Sequence, residues 1–385
     1  MIYLDNGATT YPKPIEVTRV VEQSFKTLFA NPGRGGYSAA EKSAYAVFEA
    51  RKKLGKMFSC PPDRGVFTAN CTAALNICID GLLSSGDHVI CSSLEHNAVT
   101  RPLNYVCQNG VTSDIAEVIF GDMDATYNSF KNLIKPNTKM IITTHASNVT
   151  GTVMPISRLG TLCKEKGILL CVDAAQTAGI LPINMEEMNI DYLCLAPHKG
   201  LYAPMGTGAL LCHGKVPRPL IKGGTGTNSV SEFQPDELPE RLESGTVNLP
   251  GIVGISAGID FVNKKTTQRI YSHEISLLQT FYKALNNMSA VMLYTDLPKI
   301  GECAPVLPFN IAGLSSEQTA GVLAQHNIAV RAGLHCAPSA HRRIGTISIG
   351  AVRITPSAFN KTSEINELIN VIQLISNKQK SVRSY

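Results

Sequence analysis

The sequence predicts an α/β protein of two domains, a large one on a mostly parallel sheet covered by helices and a smaller α+β one. Three observations carry this. From about residue 65 to 215, short β-rich runs alternate with amphipathic helical patterns. The runs are near-continuously apolar, as strands buried on both faces are. The chain has 385 residues, more than one hydrophobic core usually serves.

Taken in order, the strand candidates are "GVFTAN", "DHVICSS", "KMIITTHAS", "GILLCVDAA", "DYLCLAPH" and "GTGALLCH". Several end in small or polar residues, and in such sheets a site gathers beyond the carboxyl ends of the strands. A Gly-rich connection, "IKGGTGTNSVSEF" and then "ESGTVNLPGI", leads to one long helical pattern from about Gly254 to Asn287. This places the large domain at residues 15–255 and the small one at 256–385. No internal repeat or low-complexity tract interrupts either.

Composition narrows the partners. With 44% hydrophobic and 17% charged residues the chain reads as a soluble globular protein. Its net charge of +5 is small for the length and comes from scattered residues, with no basic stripe interleaved with aromatics, which argues against nucleic acid. The tail "NKQKSVRSY" is the one basic concentration and reads as a solvated end. The start, "MIYLDNGATTYPKP", lacks the apolar run of a signal peptide, and no apolar segment reaches the roughly 18 residues that span a bilayer. Eleven cysteines at irregular positions read as reduced thiols, so a cytoplasmic location without membrane contact is expected.

Three strand-end stretches carry chemistry. In "FTANCTAALN", Asn70, Cys71 and Thr72 fall at a helix N-terminus, where free N–H groups either hold a phosphate or are simply capped. In "CVDAAQTAG", Asp173 follows an apolar strand, with Gln176 a turn onward; the carboxylate could anchor a cationic ring nitrogen or cap the next helix. In "LAPHKGLYAPMGTGAL", Lys199 follows a strand among small residues beside His198, placed to form a Schiff base with an aldehyde or merely solvated. A phosphate cradle, a strand-end Asp and a strand-end Lys, in that order, are together what pyridoxal phosphate requires.

With "YLDNGATT", "EHNA", "HASNVTGT", "VDAAQ", "HKGLYAPMGTG" and "RAGLHCAP" in this order, the sequence resembles the class V aminotransferases, fold-type I pyridoxal-phosphate enzymes, and among them the cysteine desulfurases. "RAGLHCAP" is similar to the RxGHHCA signature of the branch that includes the SufS-type desulfurases and selenocysteine lyases. The resemblance implies that Lys199 holds the cofactor's aldehyde, Asp173 its pyridinium nitrogen and Gln176 its ring hydroxyl oxygen, with His96 stacked on the ring. It implies a phosphate held by Cys71, Thr72 and His198, and by Thr246 reaching over from a neighbouring subunit, hence a homodimer. Asn148 and Arg353, with Arg331 near the cysteine, would bind the substrate carboxylate. Residues 1–14 would lie near the active site, and the small domain would carry the loop of the catalytic cysteine. Two departures stand out: Ala196 where the family has a phosphate-binding Ser or Thr, and Leu334 in place of the signature's first histidine.

The resemblance also assigns Cys336. It implies that L-cysteine becomes L-alanine while its sulfur stays on Cys336 as a persulfide for an acceptor protein; selenocysteine lyase, or another β-lyase or aminotransferase on the same scaffold, is the alternative. A thiolate near neutral pH would be stabilised by His335 and nearby arginines. A metal site from His335, Cys336 and His341 lacks a paired C-x-x-C or H-x-x-x-H partner, and no metal is expected.

Overall fold

The structure is a computed structural model that describes residues 1–33 and 35–383; of the basic tail, residues 384–385 lie outside the described residues. The chain opens with a short strand, β1 (Ile2–Tyr3), and two helices, α1 (Ile15–Thr27) and α2 (Ser38–Phe58). Then come β2 (Gly65–Thr68), α3 (Cys71–Leu82), β3 (His88–Ser92), α4 (Asn97–Cys107), β4 (Thr112–Ala116), α5 (Met123–Asn132) and β5 (Thr138–Thr144). They are followed by α6 (Ile156–Lys166), β6 (Leu169–Asp173), β7 (Tyr192–Leu195), β8 (Gly208–Cys212), α7 (Leu249–Lys265) and α8 (Thr267–Leu285). The remainder is β9 (Val291–Leu293), β10 (Leu307–Ile311), α9 (Ser316–Gln325), β11 (Ile328–Ala329), β12 (Arg331–Gly333), α10 (Pro338–Arg343), β13 (Ala351–Ile354) and α11 (Thr362–Arg383).

The large sheet has the order β2-β8-β7-β6-β5-β3-β4. Its β7-β6-β5-β3-β4 run is parallel throughout, and β8 runs antiparallel to both of its neighbours. All six strands expected from the sequence are present. Strands β3, β7 and β8 are buried at every residue, because helices cover both faces. One core lies between the sheet and α2, α6 and α7, and another between its opposite face and α3 and α4. A third joins α8, β10, β13 and α11. The C-terminal strands form an antiparallel sheet, β12-β13-β10-β9. Parallel pairing of β1 with β11 carries the N-terminal segment to this part of the molecule.

Two features differ from expectation. Strand β4 escapes the apolar-run criterion because it is an edge strand that buries only Ala116. The long helical pattern is two helices, α7 and α8, divided at Thr266. That residue adopts φ 67°, which ends α7, and its hydroxyl accepts the Arg269 N–H at 3.3 Å, which caps α8. Among the described residues no helix is long and apolar enough to cross a membrane.

Candidate active site

The carboxyl ends of β3, β5, β6 and β7 converge on one pocket, whose wall includes Cys71, Thr72, His96, Asp173, His198 and Lys199. Asn148, Gln176 and Ala196 line it as well. One side is the N-terminus of α3, where the Asn70 side chain accepts the Ala73 N–H at 2.9 Å. Among the described residues the Cys71 and Thr72 N–H groups have no acceptor, which leaves them free for an anion at the positive end of the helix. His198 adds a buried Nδ1 that has no partner among the described residues, and burial pushes its pKa down to about 4. Ala196 offers only a methyl group at this point, so no hydroxyl reaches the pocket from it.

Lys199 sits on the turn after β7, its amide bonded to the Ala196 carbonyl at 3.0 Å. Burial lowers the pKa of its amine; Asp173 opposes the shift and Arg353 reinforces it. Asp173 ends β6 and is almost fully buried, with one oxygen accepting the Ala175 N–H at 2.9 Å and facing the Cys71 thiol at 3.6 Å. The Gln176 amide instead donates to the Gly7 carbonyl at 3.1 Å, which ties the N-terminal segment to the pocket. His96 caps α4, its Nδ1 accepting the Ala98 N–H at 3.0 Å, so the ring proton sits on Nε2. Burial lowers its pKa, and it is neutral.

Arg353, on β13, does not itself line the pocket but comes from the small sheet against the pocket residue Asn148. Its guanidinium donates to Asp5 at 2.9 Å and to the Asn148 carbonyl at 2.9 Å, while its buried Nε has no partner among the described residues. Asp5 also accepts from Arg331 at 3.0 Å. The chain's own carboxylate thus occupies a fork suited to a carboxylate.

Cys336 is the one exposed thiol of the eleven unpaired cysteines. The Ala337 N–H bonds the Leu334 carbonyl at 2.8 Å, closing a turn whose central residues, His335 (φ 50°) and Cys336 (φ 55°), are both left-handed. That conformation costs about 1–2 kcal/mol for each residue bearing a side chain. Two contacts dock the turn on the pocket's rim: Asn97 N–H to the Cys336 carbonyl at 2.7 Å, and the Asn148 amide to the His335 carbonyl at 2.8 Å. Cys336 is therefore one residue removed from the helix cap His96.

The expectation that His335 stabilises the thiolate by charge needs correcting. The His335 ring is buried against His341 with its pKa pushed down to about 3, so it is neutral. Arg331 is committed to Asp5 and Arg343 to Glu117 at 3.0 Å. Thr246 lies exposed on the loop before α7, outside the pocket of its own chain. Sequence reasoning gave no role to Asp5, to Glu95 or to Lys13. Buried Glu95 accepts the Thr144 N–H at 2.9 and 3.1 Å and a Ser92 hydroxyl, joining the ends of β3 and β5 beside His96. Lys13 donates to the His198 carbonyl at 2.6 Å.

A strand-end lysine facing an aspartate and an anion-ready helix N-terminus marks a class of group-transfer enzymes, and comparison with known proteins agrees. The chain belongs to the class-V aminotransferase family, whose profile matches residues 2–368. More particularly, it is 30% identical over 383 residues to a probable cysteine desulfurase of Methanothermobacter thermautotrophicus, covering 97% of this chain and 94% of that one. An apo cysteine desulfurase structure from Thermococcus onnurineus matches with a TM-score of 0.92 at 28% identity, over 98% of this chain and 95% of that one. A cysteine desulfurase of Escherichia coli in its S-sulfonic acid form matches with a TM-score of 0.87 at 26% identity, over 98% and 94%.

Proposed function

We propose that this protein is a cysteine desulfurase that uses pyridoxal phosphate, converts L-cysteine to L-alanine and leaves the sulfur on Cys336 as a persulfide for an acceptor protein. The observation that carries this is the docking of the one exposed thiol, on a turn held by Asn97 and Asn148, at the rim of the pocket that contains Lys199 and Asp173.

The residues fit the cofactor. The free amides of Cys71 and Thr72, the Thr72 hydroxyl and the unpartnered His198 Nδ1 are donors for its phosphate, Asp173 is the partner for its ring nitrogen, and Lys199 is the amine for its aldehyde. When bound, the cofactor supplies an electron sink that weakens the bonds at the substrate's α-carbon. Lys199, with a pKa lowered by burial, has more free amine near neutrality than an exposed lysine and so can take a proton from the α-carbon and return it. His96 would cover the cofactor's ring face, and Gln176 would support its ring oxygen. Arg353 and Asn148, with Arg331 at the entrance, bind the substrate carboxylate. The Cys336 sulfur then attacks the substrate sulfur. An S–S bond forms as the Cβ–S bond breaks, the electron pair stays with the carbon fragment, and that fragment takes up a proton to leave as alanine.

The same reading divides the chain into an N-terminal segment (1–14) near the active site, a large cofactor-binding domain (15–255) and a small domain (256–385) that carries the cysteine turn. It makes the protein a homodimer in which Thr246 serves the partner's phosphate site. Unpaired cysteines throughout fit a reducing compartment such as the cytoplasm.

The test is to incubate the protein with pyridoxal phosphate and L-cysteine, measure alanine and sulfide, and map the persulfide by alkylation and digestion. The persulfide should lie on the Cys336 peptide, and Cys336→Ser should bind cysteine but lose about 10³-fold or more in sulfide release, since a hydroxyl is scarcely ionised at neutral pH. A serine variant with wild-type turnover would overturn the reading.

A further inference from the structure

The turn that presents Cys336 is held in a conformation its residues disfavour, and contacts to the large sheet's loops account for only its two carbonyls. A third restraint comes from within the small domain. The His335 and His341 rings stack nearly parallel, 8° apart, with Nδ1 of His335 at 3.1 Å from Nε2 of His341. His341 Nδ1 lies 2.7 Å from the Thr346 hydroxyl, and His335 Nε2 lies 3.4 Å from the Arg331 carbonyl. His341 and Thr346 are fully buried, and neither belongs to the pocket.

The end of this chain sets its polarity. A carbonyl can only accept, so His335 Nε2 carries the proton and donates to Arg331. Nδ1 of a neutral His335 must then accept, so His341 Nε2 donates. His341 Nδ1 in turn accepts, and the Thr346 hydroxyl is the donor that starts the row. Both rings being neutral, every polar atom in it is satisfied in one direction only.

We infer that His341 and Thr346 are positioning residues for the sulfur-transfer step: they lock the ring of His335 in one tautomer and orientation and so hold Cys336 in its left-handed presentation over the pocket. This rests on the desulfurase reading for its consequence, but not for its geometry. Besides the His335–His341 hydrogen bond, the helix turn of α10 contributes, since His341 N–H bonds the Ala337 carbonyl at 3.2 Å and Thr346 N–H bonds the His341 carbonyl at 2.8 Å. The ring row therefore links both ends of the α10 turn to the residue preceding the thiol.

The experiment uses full-length protein loaded with pyridoxal phosphate and three variants, His341→Leu, His341→Gln and Thr346→Val. Two quantities are read: kcat and KM for L-cysteine, and the rate at which iodoacetamide labels Cys336, mapped on its peptide. His341→Leu should lower kcat by about 10–100-fold, the loss expected when a reacting group is displaced by about an ångström, with KM changed less than about threefold. It should also change the Cys336 labelling rate by about fivefold or more. His341→Gln, which keeps an N–H aimed at His335, should recover most of both. Thr346→Val removes only the first donor and gives a milder loss in the same direction, which keeps the inference testable if the leucine variant does not fold. If kcat and labelling in both the leucine and the valine variant stay within twofold of wild type, or if the glutamine variant is as impaired as the leucine one, the inference is wrong. Should the wild-type protein release no sulfur from cysteine, the function proposed above fails, while the labelling rates still decide whether the row positions the thiol.

Discussion

At the scale of single residues, burial decides the charge of the histidines. His145, His198, His335 and His341 are pushed by desolvation to about 4, 4, 3 and 4, against about 6.5 in an unfolded chain. Between those values the unfolded chain binds protons that the folded one refuses, so stability rises with pH up to about 6.5 and is lost as pH falls below it. Glu95, raised to about 8, and Glu274, raised as well, act in the opposite sense, because they hold protons in the fold that the unfolded chain has released. The histidines outnumber them. Urea midpoints measured from pH 7 to 4.5 should therefore fall, and His145→Gln should remove about 1.4 kcal/mol per pH unit from that slope over the window. A His145→Gln slope equal to that of the wild type would mean that this ring is charged in the fold. The same physics explains what the sequence could show of the site. Asp173 and Lys199 were legible because they fall at and just beyond the ends of apolar strands, and Cys336 because it lies on a loop between a glycine and a proline, outside any regular strand or helix. The neutrality of His335 was not, because adjacency to a cysteine says nothing about where a ring points. Asp5 was hidden for another reason: it meets Arg353 only after β1 has paired with β11.

At the scale of elements, the position of Lys199 depends on how closely α7 approaches the turn behind it. A Cβ on Gly258 would overlap the backbone carbonyl of Leu201, two residues beyond Lys199, so no flexible side chain can yield there. Gly258→Ala should cost about 1–3 kcal/mol in unfolding free energy, as overpacking does. It should also lower turnover, since the shift is transmitted to the turn after β7. Chemical denaturation and cysteine kinetics on the same preparation check both, and an unchanged protein would show that α7 can slide. Most of the fold was readable at this scale because buried parallel strands announce themselves as apolar runs. The exceptions have local causes. Strand β4 lies at an edge and exposes Thr112, Ser113 and Ile115, so its pattern matches a loop. The break between α7 and α8 falls on a threonine in a left-handed conformation, where a glycine would have signalled it, and the apolar periodicity runs on across it.

At the scale of the whole molecule, the proposed homodimer would complete each pocket with a residue of the partner subunit. Ala196 provides no hydroxyl for a phosphate, and Thr246 sits exposed on a loop outside the pocket of its own chain. Large apolar side chains are exposed on the same long loop between β8 and α7, with Val230 96% and Phe233 85% accessible, and others lie on and beside α1 and α2, with Phe25 69% and Phe29 74% accessible. Surfaces of this kind are usually covered by a partner, and a two-fold dimer is the commonest cover. Subunit complementation separates a shared site from a self-contained one. Thr246→Val homodimers should bind pyridoxal phosphate about 10–100-fold more weakly, the loss of one hydrogen bond to a charged group, and Lys199→Ala homodimers should be inactive. In a mixed dimer, one subunit carries Lys199→Ala and the other Thr246→Val. If Thr246 serves the partner, the pocket that retains Lys199 borrows an intact threonine from the Lys199→Ala subunit, and half of the sites regain wild-type cofactor affinity and turnover. If Thr246 acts within its own chain, that same pocket keeps the weakened affinity of the valine variant, and mixing restores nothing. Affinity purification of the mixed dimer through two different tags, followed by cofactor titration, distinguishes these outcomes directly, because only a threonine contributed across the two-fold axis can be rescued by a subunit that is itself inactive.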